Sequence, residues 1–175
     1  MDFDTYESEV VARTGKMEEG IEAAKALGAL GLCGEAAEVY ELSRVMSSTR
    51  ASTIKECGDV LWYIGYLARA YGIPLQRIAL CSQPRITTRP ESELMLCCGR
   101  LADVVKKELF HSAPPDEARI HRLLTGVLDC LLACIEKQKA PIEEVMLANQ
   151  AKLLARFPNG WDTAAAQAKA DEAQR

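Results

Sequence analysis

Apolar residues recur at helical spacing along almost the whole chain of 175 residues, and the alternating pattern of a β-strand is scarce. Helices are predicted at residues 3–13, 17–46, 53–71, 74–81, 91–110, 116–139 and 141–156, the third capped by Ser52 or Thr53. The clearest linker runs from 82 to 90, and the sequence FPNG at 157–160 ends the last helix. The chain is therefore predicted to be all-α.

The charge balance argues against one class of partner. Lys and Arg number 21 against 25 Asp and Glu, so the net charge is −4, and the pI is about 5.3. A protein that binds nucleic acid by neutralising phosphates needs a basic face, so no nucleic-acid partner is expected. The apolar runs are too short to span a bilayer, and the acidic start MDFD is unlike a signal peptide. A cytoplasmic protein without a membrane partner is predicted, and its length favours one domain.

Seven cysteines raise the questions of disulfides and zinc. Their number is odd, the expected compartment is reducing, and no pair has the Cys-x-x-Cys spacing of a zinc site. They are therefore predicted to be buried free thiols. A di-iron bundle is an alternative because Glu108 and His111 have Glu-x-x-His spacing, but Glu117 and His121, which would supply the second motif, are four apart.

Two pairs of acidic residues have the same spacing on neighbouring helices. Glu35 and Glu38 lie three apart in GLCGEAAEVYEL, and Glu56 and Asp59 lie three apart in KECGDVLWYIGYL. Residues three apart share a helix face, so each pair projects together. On the predicted helix 17–46, Glu35 and Glu38 are expected beside a buried apolar stripe. The stripe consists of Leu27, Gly31, Gly34, Leu42 and Val45. The seventeen intervening residues allow the two helices to run antiparallel and to present four carboxylates to each other.

Four carboxylates so close together repel one another or take up protons. A divalent cation relieves the repulsion, and ligation by oxygen alone favours Mg²⁺, or Mn²⁺ in its place, over zinc. The alternative is that both pairs face outward and are solvated. Glu35, Glu38, Glu56 and Asp59 are the candidate metal ligands.

The acidic motif within LGLCGEAAEV and KECGDVLWYI resembles that of the MazG-like nucleoside triphosphate pyrophosphohydrolases, an all-α superfamily. FDTYESEVVARTGK resembles their opening helix, and ANQAKLLARFPNGW resembles their closing motif of Asn, Lys, Arg, an aromatic-Pro pair, Gly and an aromatic residue. The resemblance covers roughly residues 2–80 and 141–162. The stretch 81–140 departs from it, being longer than a minimal member of the family needs.

The resemblance implies metal-dependent hydrolysis of (deoxy)nucleoside triphosphates between the α and β phosphates, which gives a monophosphate and pyrophosphate. Glu35 or Glu38 would accept the proton of the attacking water, and the sequence does not distinguish them. Tyr63 is a candidate for contact with the sugar or base, or else a core residue, and Trp62 is expected in the core or an interface. Lys152 and Arg156 are candidate phosphate anchors by resemblance, although an exposed basic pair is common without such a role. The alternative function is a catalytically silent relative that binds nucleotide and regulates.

The extra stretch is interpreted as a second, degenerate copy of the first half. A shift of 65 places residues 96–104 over 31–39. A shift of 67 aligns Val127 with Val60, Pro141 with Pro74 and Leu147 with Leu80, and it brings Lys152 and Arg156 over Arg85 and Arg89. The change of shift falls in a connecting loop, where an insertion costs little.

The second copy has lost the acidic set. The positions that align with Glu35, Glu38, Glu56 and Asp59 hold Arg100, Asp103, Leu123 and Gly126. We therefore expect a MazG-like helical bundle with an active half at 1–83, a degenerate half at 91–162 and a tail at 163–175. Family members generally assemble as dimers, so the chain is predicted to be a tandem pseudo-dimer that acts as a monomer or a homodimer. One active site per chain would lie in the first half and be completed by the second.

Overall fold

The chain is all-helical wherever the computed structural model describes it, which is at residues 1–15, 17, 20–160 and 162. Within these residues the nearest approach to a strand is a single bridge between Pro158 and Gly160. The all-α prediction is confirmed, while the predicted tail and Trp161 of the closing motif lie outside the described residues. The first helix, α1, consists of three consecutive segments, Phe3–Tyr6, Glu7–Val11 and Ala12–Thr14, of which the middle one is π-helical. Six more helices follow: Ile21–Leu42 (α2), Arg50–Ala70 (α3), Leu75–Cys81 (α4), Pro90–Phe110 (α5), Glu117–Lys137 (α6) and Ile142–Arg156 (α7).

The start of α3 differs from the prediction. Its N-cap is Thr49, whose hydroxyl accepts a hydrogen bond from the Ser52 backbone N–H at 3.1 Å, while the Ser52 hydroxyl accepts one from the Thr49 N–H at 3.0 Å. This capping box satisfies two backbone donors that would otherwise lack partners. The prediction of Ser52 or Thr53 as the cap was wrong because the segment offers several adjacent hydroxyl residues, and only the reciprocal pair satisfies both donors.

The four long helices pack as two similar pairs, and the shorter helix that follows each pair packs on the other pair. Helix α2 packs against α3, and α5 packs against α6. The two pairs meet through α2 against α5 and α3 against α6. The helix that follows each pair crosses to the other one, since α4 packs on α6 and α7 packs on α3. A fused pair of similar units would have this reciprocal packing; the internal duplication itself stays a prediction.

The buried face of α2 is not the stripe that the sequence suggested. Leu27 and Gly34 are exposed, and Val45 lies beyond the end of the helix and is exposed as well. This part of the prediction was wrong, because α2 is rich in Ala and Gly and carries small or apolar residues on most of its circumference. The residues that α2 buries are Ala24, Gly28, Ala29, Leu32, Ala36 and Val39. Glu35 therefore lies at the edge of the buried face, half-buried, and Glu38 is exposed.

All seven cysteines are free, and five of them are buried. The prediction of buried thiols is confirmed for Cys57, Cys97, Cys98, Cys130 and Cys134, and it was wrong for Cys81, which is exposed. Cys33 is half-buried. None of the described helices combines the length and the apolar character that crossing a bilayer would require.

The close contact between α3 and α7 depends on the absence of a side chain at Gly58, where a Cβ would lie 2.9 Å from the Cβ of Asn149. We expect Gly58→Ala to lower the free energy of unfolding by about 1–3 kcal/mol, because the two helices must move apart. Gly34→Ala on the exposed side of α2 is the control, since a Cβ there has no neighbour within 4 Å. It should raise the free energy of unfolding by up to about 1 kcal/mol through helix propensity. Urea denaturation measures both, and equal effects would contradict the packing argument.

Candidate functional site

Helices α2 and α3 bring three carboxylates to one point. Glu35 and Glu38 project from α2 and Glu56 projects from α3, and one oxygen of each lies within 4.8 Å of the others. Glu56 is buried, Glu35 is half-buried and Glu38 is exposed, so the cluster opens to solvent on the Glu38 side. We call these three residues the carboxylate cluster. Its donors are all oxygen, as hard divalent cations such as Mg²⁺ require.

Asp59, the fourth predicted ligand, lies one turn after Glu56, and residues of α7 bind its carboxylate. One carboxylate oxygen accepts a hydrogen bond from Asn149 Nδ2 at 2.9 Å, and the other forms a short ion pair with Lys152 Nζ. Tyr6 of α1 donates its hydroxyl to Asn149 Oδ1 at 2.7 Å and thereby orients the amide. The predicted set of four thus divides into three carboxylates that meet and Asp59, which lies beside them and is paired with residues of α7.

Burial and like charge change the titration of the cluster. Burial, followed by the charges of Asp59 and Glu38, raises the pKa of Glu35 to about 8. The pKa of Glu56 is also raised, first by burial and then by Asp59. Lys152 opposes both shifts. Without a cation, Glu35 therefore holds a proton at neutral pH, which is the response expected of a crowded carboxylate in a partly buried site.

Two of the three predicted substrate-binding residues, Tyr63 and Lys152, lie next to these acids, and the third, Arg156, lies near Tyr63. Tyr63 is half-buried, and its ring lies so close to Gly31 that a Cβ there would be 2.2 Å from a ring carbon. Burial, and then the charges of Glu35 and Asp59, raise the pKa of Tyr63 to about 12, while nearby Arg156 acts in the opposite direction. The site therefore has a partly accessible aromatic ring next to its carboxylates.

Lys152 and Arg156 lie one turn apart on α7 and supply the cationic side of the site. Lys152 is paired with Asp59, and the Arg156 guanidinium lies 5.4 Å from the centre of the Phe157 ring. Trp62, next to Tyr63 in sequence, belongs to the core as predicted. It is 8% exposed, stacks on Tyr66, and donates its indole N–H to the Thr14 hydroxyl at 2.8 Å.

Sequence reasoning assigned no role in the site to Tyr6 or to Asn149, although Asn149 is the Asn of the closing motif. Asn149 was recognisable, since it precedes Lys152 by three positions on a helix and so shares its face. An amide there has to satisfy its own donors and acceptors once it is buried. Tyr6 gave no such signal, because a tyrosine in an amphipathic first helix is usually a core residue, and its hydroxyl partner is 143 positions away.

The alternative metal sites are not assembled among the described residues. Within them, the carboxylate cluster is the one group of three or more His, Cys, Asp or Glu side chains that could hold a metal. Glu108 of the di-iron alternative is paired instead with Lys25 at 2.6 Å and accepts the Tyr71 hydroxyl at 2.8 Å, and His111 is exposed. Comparisons with protein-family models, with curated proteins and with solved structures found no match for this chain.

The raised pKa of Glu35 predicts how the stability of the metal-free protein depends on pH. Folded Glu35 has a pKa of about 8 against an ordinary value of 4.5, so between these values the folded chain holds a proton that the unfolded chain has released. The bound proton contributes to the free energy of unfolding. This contribution is complete below pH 4.5 and is lost as the pH rises through 8. Thermal unfolding in EDTA should show the decline, and Glu35→Gln should make it shallower. An unchanged slope in the variant would contradict the assignment.

Proposed function

We propose that this protein hydrolyses (deoxy)nucleoside triphosphates between the α and β phosphates, releasing a nucleoside monophosphate and pyrophosphate. The observation that carries the proposal is the carboxylate cluster, in which three acids from two helices converge with an oxygen of each within 4.8 Å of the others. Lys152 and Arg156, on a third helix, give the same site a cationic side. Acids that could hold a cation, with basic groups beside them, suit a polyphosphate substrate better than a neutral one.

The cluster fits Mg²⁺ or Mn²⁺ as a cofactor. Its donors are carboxylate oxygens only, and the pKa of Glu35 is raised by burial and then by neighbouring acids, so this carboxylate lacks a sufficient counter-charge. When bound, such an ion supplies positive charge for the phosphates and makes water a better nucleophile at neutral pH. Glu35, Glu38 and Glu56 would hold it, with Asp59 adjacent.

The chain's own residues then have separate roles. Glu35 or Glu38 accepts the proton of the attacking water, and Glu38 is the more accessible of the two. Lys152 and Arg156 bind and orient the phosphates, which matters because positioning and charge stabilisation dominate phosphoryl chemistry. The Tyr63 ring, half-buried next to the acids, offers a surface for the sugar or base. Asn149, whose amide is itself oriented by Tyr6, orients Asp59.

The motifs that resemble the MazG-like pyrophosphohydrolases support the choice of the α–β bond. The segments that carry this resemblance form α1, the α2–α3 pair and α7, and these are the elements that build the site. A catalytically silent relative would have the same acids, and only a turnover measurement separates it from an enzyme.

Turnover is expected to require a divalent cation. A panel of canonical, deoxy and damaged triphosphates should be incubated with Mg²⁺, with Mn²⁺ and with EDTA, and the products should be identified by chromatography. We expect equal amounts of monophosphate and pyrophosphate from at least one nucleotide, and no turnover in EDTA. Binding without turnover across the panel would favour the silent relative, and full turnover in EDTA would refute the metal-dependent mechanism.

Charge removal at single acids tests the assignment within the site. Glu38→Gln and Asp59→Asn keep the side-chain shape and should each lower kcat by at least about 100-fold. Glu38 is a proposed metal ligand and candidate base, and Asp59 is the charged neighbour of the proposed ligands. Glu41→Gln is the matched control, since Glu41 is an exposed acid three residues further along α2 and outside the cluster. Circular dichroism checks that each variant folds. Near-normal kcat in both site variants would place the chemistry elsewhere.

A further inference from the structure

A cleft opens between α5 and α6, on the pair of helices that does not carry the carboxylate cluster. Its volume is about 460 Å³, within the range of about 300–1,000 Å³ that is usual for small-molecule sites. Its charged lining consists of Arg100, Asp103 and Arg119. We call it the α5–α6 cleft. Arg100 and Asp103 are the residues that the predicted duplication aligns with Glu35 and Glu38, so the cleft occupies the position of a second active site.

The charge of this cleft is opposite to that of the carboxylate cluster. Within the described residues, neither the Arg100 nor the Arg119 guanidinium forms an ion pair or a side-chain hydrogen bond, so both can bind a ligand. Asp103 is already neutralised, because Lys106 Nζ and Lys107 Nζ each lie 2.6 Å from one of its oxygens. These lysines hold the pKa of Asp103 down at about 2, so it stays ionised and paired. A cation would find no free acid in this cleft, whereas an anion would find two guanidinium groups.

The remaining lining is apolar and partly open to solvent. Met95 and Leu96 are 37% and 55% exposed, and Val104 and Leu123 are half-buried. A Cβ at Gly99 would have no neighbour within 4 Å, so the cleft is open there as well. Apolar side chains that remain in water next to unpaired arginines suit a ligand with one anionic group and one flat apolar part.

We propose that the α5–α6 cleft binds a nucleoside monophosphate without a metal ion, with the phosphate on Arg100 and Arg119 and the base against the apolar lining. The cleft itself specifies an anion joined to an apolar ring, and the choice of a nucleotide rests on the proposed function, whose product is a monophosphate. A monophosphate carries about two negative charges, which two guanidinium groups can match without a cation. The cleft would thus give the chain a site that responds to its own product.

The test uses the full chain in EDTA, which removes any metal-dependent binding at the carboxylate cluster. Calorimetric titration with each common nucleoside monophosphate, and with inorganic phosphate as the reference, measures affinity and stoichiometry. We expect at least one monophosphate to bind once per chain and at least about tenfold more tightly than inorganic phosphate. Equal affinity for phosphate would overturn the role of the apolar lining, and no binding of any monophosphate would overturn the proposal.

Single arginine variants locate the binding. Arg100→Ala and Arg119→Ala should each weaken binding by about tenfold or more, the usual effect of losing a hydrogen bond to a charged group. Arg122→Ala is the matched control, because Arg122 is an exposed arginine on α6 outside the cleft, and its affinity should stay within about twofold of the wild type. Arg156→Ala removes a cation beside the carboxylate cluster, and the monophosphate affinity in EDTA should stay within about twofold of the wild type. A loss with Arg156→Ala but not with the two cleft variants would assign the binding to the site of the carboxylate cluster and overturn the proposal.

Failure of this inference and failure of the proposed function give different results. Triphosphate turnover with Mg²⁺, together with no monophosphate binding in EDTA, would contradict the cleft alone. Monophosphate binding that depends on Arg100 and Arg119, without triphosphate turnover, would support the cleft and contradict the proposed activity.

Discussion

The pairing of Asp59 with Asn149 and Lys152 is the contact on which the arrangement of the candidate site depends. Asp59 lies on α3 next to Glu35 and Glu56, whose pKa is raised first by burial and then by the charge of Asp59 itself. A buried carboxylate costs free energy unless it is paired and hydrogen-bonded, and α7 supplies both kinds of partner. The position of α7 is therefore constrained by the acids as well as by apolar packing, and its basic face lies beside the carboxylate cluster.

This constraint explains why the first half alone would be incomplete. Helix α7 follows the α5–α6 pair in the chain but packs against α3, so the ammonium group beside Asp59 comes from the C-terminal part of the sequence. The reciprocal contact, α4 on α6, uses apolar residues of the first half to cover the second. Each pair of helices is thus closed by the helix that follows the other pair. Separation of the halves would expose apolar surface on both and would remove the partner of a buried acid.

Much of the fold was predictable because long amphipathic segments and prolines determine helices locally. The breaks at 82–89 and after Arg156 are where the composition predicted them. What failed was the choice of the buried face of α2, because a helix of mainly Ala, Gly and Leu offers apolar surface in several directions, and only its neighbours α3 and α5 decide which is covered. The N-cap of α3 failed for a similar reason, since several hydroxyl residues compete at that end.

The candidate site was predictable in its parts and not in its connections. The spacing of Glu35, Glu38 and Glu56 on two helices was sufficient to predict their convergence, because helical periodicity and an antiparallel turn determine it. The orientation of Asp59 toward α7 was not predictable, since it depends on hydrogen bonds between residues about 90 positions apart. Local pattern carries no information about such partners, and the Tyr6–Asn149 contact, across 143 positions, is the extreme case.

When two similar halves are fused in one chain, their two sites can change independently, which is not possible in a symmetric homodimer. In a homodimer, a substitution that replaces an acid with an arginine appears in both sites and removes that acid from each. In a single chain with two similar helix pairs, the same substitution affects one site only. The contrast between Glu35 beside α3 and Arg100 beside α6 is what such freedom would produce: the carboxylate cluster has crowded acids, and the α5–α6 cleft has unpaired guanidinium groups next to an apolar lining. Since α2 packs directly against α5, the carboxylate cluster and the α5–α6 cleft belong to adjoining helices, and a ligand that shifts α5 would act on the helix that carries Glu35 and Glu38.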